Sequence, residues 1–301
     1  MNELGKRIVF GSLYVGIILA AYYAVHATGH TVYPLWVLYS LFVLLAIPEA
    51  ARLLDVPAGR LYAVAAVWWA AAVYTLPYAM TYLAYHKIPD PAISLWGIWG
   101  IAMAVYLWAV AGGKVHPLRF TTALALSVVP FVSALFLDMT IPYAGLFIFI
   151  TLWLYDSFAY LTGKYLGRHK LAPRISPKKT VEGLVGGAVI TFLAWAFLKS
   201  LLPHNGQGFA GELGLTTDVL AHYYGLIPVV SWVIIMGTLG DLTESWLKRR
   251  AGVKDSGALI PGHGGILDRL DSFMLTATAT AFILFLSVLT VKFLSPETAG
   301  L

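Results

Sequence analysis

One charge-rich segment organises this chain, and it runs from Gly240 to Asp271 with the sequence GDLTESWLKRRAGVKDSGALIPGHGGILDRLD. It holds five acidic side chains, five Lys or Arg and one His, and it separates two long apolar runs. Elsewhere charges are rare: 59% of the 301 residues are hydrophobic and 12% are charged. Soluble domains carry about twice that charged fraction. A chain this apolar lacks a surface compatible with water, which predicts an integral membrane protein.

Nine apolar runs are long enough to cross a bilayer, since a spanning helix needs about 20 residues. They lie near residues 8–25, 32–47, 61–80, 92–111, 119–138, 141–162, 182–202, 226–247 and 272–293. We therefore expect an all-α integral membrane protein of about nine transmembrane helices. Five spans fall in an N-terminal region, 1–140, and the others in a C-terminal region, 141–301. Residues 1–27 also have features of a signal peptide, whose cleavage would leave eight spans.

Basic residues predict the orientation. With the N-terminus in the cytoplasm, 17 of the 20 Lys and Arg lie on the cytoplasmic side, in agreement with the positive-inside rule. We therefore expect a multi-pass protein of the cell inner (plasma) membrane, with its C-terminus outside. Two charge-rich loops, 163–181 and 248–271, would then be cytoplasmic. Membrane orientation and anionic lipids explain the net charge of +5, so no nucleic-acid partner is expected.

Four carboxylates, in the second loop or in the apolar run just before it, have helical spacing. Asp241 and Glu244 are three residues apart, as are Asp268 and Asp271 where the last span begins, so each pair projects from one helix face. Converging carboxylates repel one another, and ligands that offer only oxygen suit a hard divalent cation such as Mg²⁺. This pattern predicts a metal site. Alternatively, the acids form ion pairs with neighbouring cations: Lys248, Arg249, Lys254 and Arg269.

The first loop is basic. Ser176 before Pro177 predicts a helix start, whose free N–H groups attract anions, and Lys178 and Lys179 add positive charge there. This arrangement predicts a phosphate site, and the alternative is a loop that only touches lipid head groups. Asp156 precedes the loop within an apolar run, where an acid is costly. We expect it to be functional or to pair with a loop lysine.

Glycines mark two further features. His263, Gly264 and Gly265 predict a tight loop whose backbone can approach a ligand. Close helix packing is predicted at three others: Gly183, Gly186 and Gly187.

Carboxylates beside basic side chains favour phosphoryl or nucleotidyl transfer at the membrane surface, because a polyphosphate needs its charge neutralised. The sequence has no Walker-type glycine loop, which weighs against an ATP-driven reaction. It also has no cysteine, which excludes a Cys nucleophile and thiolate metal ligands. The residues alone leave the nucleotide and the acceptor open.

Both loops also follow the pattern of a known family. Its positions in the second loop are Ser245, Lys248-Arg249, Lys254-Asp255, Gly257, Ile260-Pro261, His263-Gly264-Gly265, Asp268-Arg269 and Asp271. Those around the first loop are Asp156, Ala159-Tyr160, Gly163, Ser176-Pro177-Lys178-Lys179-Thr180 and Glu182-Gly183. The pattern resembles the signature of phosphatidate cytidylyltransferases, also called CDP-diacylglycerol synthases. The resemblance covers about residues 151–275.

The resemblance implies that CTP and phosphatidic acid give CDP-diacylglycerol and pyrophosphate, with Mg²⁺ required and K⁺ as a candidate second cation. It also implies a homodimer whose partners are CTP, phosphatidic acid and membrane lipids. The predicted catalytic residues are Asp241, Asp268, Asp271, Lys248 and His263. The predicted metal ligands are Asp241, Asp268, Asp271 and Glu244. The predicted substrate-binding residues are Ser176, Lys178, Lys179, Thr180, Arg249, Lys254, Gly264, Gly265, Arg269 and Asp156.

Three other functions share features with this sequence. A CDP-alcohol phosphotransferase also uses aspartates at helical spacing, but its Asp-Gly-x-x-Ala-Arg opening is missing from the sequence. A CDP-archaeol synthase would share the chemistry and use a different lipid. A secondary transporter would use Asp156 and Asp241 as an ion relay, but the charges lie at one face of the membrane and no broken-helix repeat is present.

Overall fold

The computed structural model of the chain describes residues 3–29, 31–85, 92–111, 116–201, 226–259 and 264–294. Within these ranges lie nine long helices and one short hairpin. The elements are α1 (Glu3–Ala27), α2 (Tyr33–Leu54), α3 (Ala58–Tyr85), α4 (Ala92–Ala111), α5 (Pro117–Thr140), α6 (Ala144–Leu166), β1 (Lys170–Ala172), β2 (Ser176–Thr180), α7 (Val181–Leu201), α8 (Leu226–Arg250) and α9 (Leu267–Leu294). Each predicted apolar run corresponds to one helix, and the expected helical architecture is confirmed.

Seven helices are long and apolar enough to cross a bilayer, judged over the described ranges alone. They are α1, α2, α5, α6, α7, α8 and α9. In lipid a helix satisfies its backbone hydrogen bonds internally, so this architecture is that of an integral membrane protein. The count of nine spans and the orientation of the termini stay predictions.

The chain forms two compact units that do not follow chain order. The first combines Met1–Leu35 with Pro142–Thr276, and the second combines Trp36–Ile141 with Ala277–Leu301. Helix α1 therefore belongs with the C-terminal helices. All the predicted site residues fall within the first unit.

In the second unit, polar side chains find partners among the helices. Tyr39 OH donates a buried hydrogen bond to Asp138 Oδ2 at 2.8 Å. The Trp68 indole N–H donates to Ala102 O at 3.1 Å, and the Trp68 ring meets Trp99 edge to face at 5.7 Å. These contacts satisfy polar groups that would be costly to bury alone.

Glycines let α6 and α7 approach each other closely in the first unit. A Cβ on Gly187 would lie 2.7 Å from Ala159 Cβ, and a Cβ on Gly183 would lie 2.8 Å from Ala159 O. Similarly, a Cβ on Gly186 would lie 2.8 Å from Thr162 Cβ. The predicted close packing at these glycines is confirmed. It brings the two ends of the first charge-rich loop together.

That loop forms the antiparallel hairpin β1–β2, with Lys170 opposite Thr180. The predicted helix start at Ser176 is therefore wrong. Pro177 fixes φ at a value that suits an edge strand as well as a first helical turn, and pairing with β1 selects the strand. Helix α7 begins after Thr180 instead, where Thr180 Oγ1 caps the helix by accepting from Gly183 N at 3.1 Å.

We predict that Gly187→Ala destabilises the protein, although alanine normally favours a helix interior over glycine by about 1 kcal/mol. The added methyl group would collide with Ala159, and overpacking costs about 1–3 kcal/mol. Gly16→Ala is the matched control, because a Cβ there would meet nothing within 4 Å. Thermal unfolding in nanodiscs should give a lower Tm for the Gly187 variant alone. Equal Tm values for both variants would contradict the packing interpretation.

Candidate active site

The acids of the second loop lie on two helices that touch. Asp241 and Glu244 are in the C-terminal half of α8, and Asp268 and Asp271 are at the start of α9. The helices meet at Gly240, where a Cβ would lie 2.6 Å from Asp271 O. Any larger residue would push the two helices apart there. This crossing brings the acidic C-terminal half of α8 and the acidic start of α9 into one region.

Lys248 joins the two helices through its ammonium group. Its Nζ lies 2.6 Å from Asp268 Oδ1 and also forms an ion pair with Glu244, one turn earlier on α8. The side chains of all three residues are at most 10% exposed. For Glu244 and Asp268, the structure therefore supports the ion pairing that the sequence left open as an alternative.

The Asp268 carboxylate is also held by the backbone of the second loop. Its Oδ2 accepts from Gly265 N at 2.7 Å and from Ser256 N at 2.9 Å. Gly264 has a φ of +83°, and a Cβ there would lie 2.5 Å from Asp268 Oδ2. Glycine is thus required at position 264 both by its conformation and by the close carboxylate. The predicted neighbour His263 lies outside the described residues.

The first loop reaches the second through Lys179. Its Nζ lies 2.5 Å from Asp241 Oδ2, and about a quarter of each side chain is exposed. The other oxygen, Asp241 Oδ1, accepts from Ser245 Oγ at 3.1 Å. Since Lys179 is on β2, the position of the hairpin decides whether this ion pair forms.

Asp156 and Asp271 extend the acidic group. Asp156 is an exposed side chain of α6 that interacts electrostatically with Lys179 and Asp241. Asp271 interacts in the same way with Asp241, Glu244 and Asp156. Acids from α6, α8 and α9 therefore share one region with the ammonium groups of two lysines.

Most of the other predicted substrate-binding residues are exposed around this region. The exposed ones are Lys178, Arg249, Lys254 and Arg269, and Ser176 is half-buried. Arg249 Nη1 donates to Val253 O at 3.1 Å, which closes the turn after α8. Thr180 is buried and its hydroxyl caps α7, which explains this residue without a substrate.

Three residues outside the predicted catalytic, metal-binding and substrate-binding sets also contribute to the site. Ser256 is fully buried, and its hydroxyl accepts from Asp268 N at 3.3 Å. Tyr14 OH, on α1, donates to Arg269 O at 3.3 Å. Glu182 accepts hydrogen bonds from the backbone that precedes β1. An acid in the first turn of a helix is a signal that could have identified Glu182, whereas nothing local identifies Tyr14.

The chemistry of these side chains suits a hard divalent cation, because every acidic donor is an oxygen. Glu244 Oε1 is buried and makes no hydrogen bond with any described residue. However, among the residues that the structure describes, no three His, Asp or Glu side chains already surround a point that could hold a metal ion. Lys179 and Lys248 instead lie against Asp241, Glu244 and Asp268. The donors thus fit a metal in type, while two lysines offset part of their charge here.

Comparison with known proteins identifies the family of the chain. The sequence profile described as "Cytidylyltransferase family" matches residues 5–287. The chain belongs to the cytidylyltransferase family. The resemblance seen in the two loops is thereby confirmed, and family membership makes the chain a nucleotidyltransferase. Enzymes of this kind generally need a divalent metal ion.

Three relatives of this cytidylyltransferase are named phosphatidate cytidylyltransferase. The protein of Haemophilus influenzae is 37% identical over 204 residues, which are 64% of this chain and 66% of that protein. The protein of Staphylococcus saprophyticus is 36% identical over 194 residues, or 54% and 68% of the two chains. The protein of Staphylococcus haemolyticus is 42% identical over 129 residues, or 43% and 44%. The chain spans about two thirds of the first two relatives and under half of the third.

We predict that Lys248→Met lowers the free energy of unfolding by about 3–5 kcal/mol, the usual loss when one partner of a buried ion pair is removed. Without the ammonium group, Glu244 and Asp268 would be buried together without neutralisation. Lys254→Met is the matched control, since Lys254 is exposed. Thermal unfolding in nanodiscs measures both variants. Adding Glu244→Gln should recover part of the loss, and a Tm equal to that of the control would contradict the ion-pair interpretation.

Proposed function

We propose that this cytidylyltransferase transfers CMP from CTP to phosphatidic acid, which gives CDP-diacylglycerol and pyrophosphate. The observation that carries the proposal is the ion pair between Lys179 of the hairpin and Asp241 of α8. It joins the first charge-rich loop to the acids of α8 and α9, which lie around the second loop. The relatives named phosphatidate cytidylyltransferase support the choice of substrates.

Such a region suits nucleotidyl transfer to a lipid. An oxygen of the phosphatidate phosphate attacks the α-phosphorus of CTP, and the bond from that phosphorus to the bridging oxygen of pyrophosphate breaks. The attacking phosphate is already ionised near neutral pH, because its second pKa is about 6. No strong general base is needed. The protein mainly has to align the reactants and neutralise their charge.

The lysines and the exposed basic residues are proposed to bind the phosphates. Lys179 and Lys248 lie closest to the acids, and both ammonium groups can exchange a carboxylate for a phosphate oxygen. The other residues proposed to bind substrates are Ser176, Lys178, Arg249, Lys254, Arg269 and Asp156, and His263 is proposed as a catalytic residue. The backbone of Gly264 and Gly265 is proposed to position Asp268, whose carboxylate it already binds.

A bound divalent cation would neutralise charge on the triphosphate, and we propose that the ion is Mg²⁺. Its proposed ligands are Asp241, Asp268, Asp271 and Glu244, with K⁺ as a proposed second cation. The proposal also includes a homodimer in the cell inner membrane, with the site on the cytoplasmic side. The strong bias of basic residues toward the two loops supports that side.

The proposed activity predicts a labelled lipid when purified protein is incubated with radiolabelled CTP, dioleoyl phosphatidic acid and Mg²⁺. Asp268→Asn should lower the rate by about 100-fold or more, because it removes a carboxylate that is proposed to hold the divalent cation. Asp55→Asn is the control, since Asp55 is an exposed acid of the second unit. The Asp268 variant should elute from gel filtration like the wild type. A wild-type rate in that variant would refute its role, and transfer only to an archaeol-type lipid would change the acceptor.

We further predict that Lys179→Ala raises the KM for CTP or phosphatidic acid by about tenfold, as expected for loss of a charge-assisted hydrogen bond. Lys170→Ala is the matched control, because Lys170 is an exposed residue of the same hairpin. Steady-state kinetics with each substrate varied in turn would measure both. Unchanged KM values in the Lys179 variant would limit this lysine to pairing with Asp241.

A further inference from the structure

Glu182, on the first turn of α7, closes the base of the hairpin, which consists of residues 167–169 before β1 and of Thr180 and Val181, where β2 ends and α7 begins. Its Oε2 accepts from Arg168 N at 2.9 Å and from His169 N at 3.1 Å, and its Oε1 lies 2.5 Å from His169 Nδ1. Next to it, Val181 N donates to His169 O at 3.0 Å. One carboxylate therefore ties the residues that follow α6 to the residues that begin α7.

The surroundings leave the base of the hairpin little freedom. A Cβ on Gly167 would lie 2.2 Å from Gly163 O and 2.8 Å from Thr180 Oγ1. A Cβ on Gly163 would also lie 2.8 Å from that hydroxyl. Since Thr180 immediately follows Lys179, a shift of the base would move the lysine as well.

Glu182 is chemically suited to hold this base. An ionised carboxylate forms shorter and stronger hydrogen bonds with backbone N–H groups than a neutral acceptor does. The N-terminus of α7 favours the same negative charge. About a quarter of the side chain is exposed. Its partners in these bonds are the backbone and the side chain of the segment before β1, and none of them belongs to α8 or α9.

We propose that Glu182 is a positioning residue for the transfer reaction. It holds the hairpin so that the Lys179 ammonium group lies against Asp241, without touching a substrate itself. The proposal rests on the proposed function for one point, the binding of a substrate phosphate by Lys179. Glu182 therefore acts through Lys179, and the two residues should not have independent effects.

A double-mutant cycle tests this dependence. Glu182→Ala should raise the same KM that Lys179→Ala raises, by about tenfold, and change kcat less than about threefold. Glu182→Gln keeps a neutral acceptor and should show an intermediate KM. In the Lys179→Ala background, Glu182→Ala should add less than about a twofold further change. Multiplied effects in the double variant, or unchanged KM values in Glu182→Ala, would overturn the proposal.

Limited trypsin digestion of the detergent-solubilised protein tests whether Glu182 holds the hairpin, and this test does not depend on enzyme activity. Glu182→Ala should be cut several-fold faster at the basic residues from Arg168 to Lys179, while Asp55→Asn should match the wild type. Cleavage of Glu182→Ala at the wild-type rate would overturn the proposal that Glu182 holds the hairpin, even if the enzyme is active. Conversely, a wild-type protein that makes no labelled lipid would refute the proposed function. The digestion would still show whether Glu182 holds the hairpin.

Two milder variants keep the test decisive if Glu182→Ala does not fold. His169→Ala removes the side-chain contact and leaves both backbone N–H donors in place, and Glu182→Gln removes only the charge. Both should raise the KM affected by Lys179→Ala, by a smaller factor, and both should speed tryptic cleavage of the hairpin. A wild-type KM together with wild-type cleavage in both would overturn the proposal.

Discussion

Neutralisation of buried acids is the constraint on which the site depends. Glu244 and Asp268 come from two helices, and the Lys248 ammonium group lies between them in a nearly buried environment. A buried charge without a partner costs several kcal/mol, and in a membrane protein few water molecules are available to replace the partner. The end of α8 and the start of α9 must therefore stay together. Gly240 permits this contact because a side chain there would strike the backbone of Asp271.

A second constraint brings the first loop to this pair of helices. Small residues allow α6 and α7 to pack closely, and this packing fixes both ends of the hairpin. The hairpin then carries Lys179 to Asp241. Helix packing thus sets the position from which the hairpin presents the ammonium group. Nucleotidyl transfer needs such preorganisation, because charged groups accelerate the reaction most when they are already held in place.

Local patterns predicted some features and failed on others for identifiable reasons. The apolar runs predicted the helices well, because a spanning helix must be about 20 residues long and nearly free of charge. Ser176 and Pro177 misled the prediction of a helix start, because proline fits an edge strand equally well and only pairing with β1 selects between them. The acids at helical spacing left metal binding and ion pairing open. Spacing fixes which face a carboxylate occupies but not which cation meets it.

The helical membrane class, the two charge-rich loops and the membership of the cytidylyltransferase family all follow from the sequence alone. These features follow from composition, periodicity and short motifs, which are local properties of the chain. The folded structure was needed to show that α1 joins the C-terminal helices, that Lys179 meets Asp241 and that Glu182 binds the backbone that precedes β1. The first two join residues far apart in the chain, and the third depends on how closely α6 and α7 pack. The glycines of α7 predicted close packing, but no local pattern encodes which residues of two packed helices then meet.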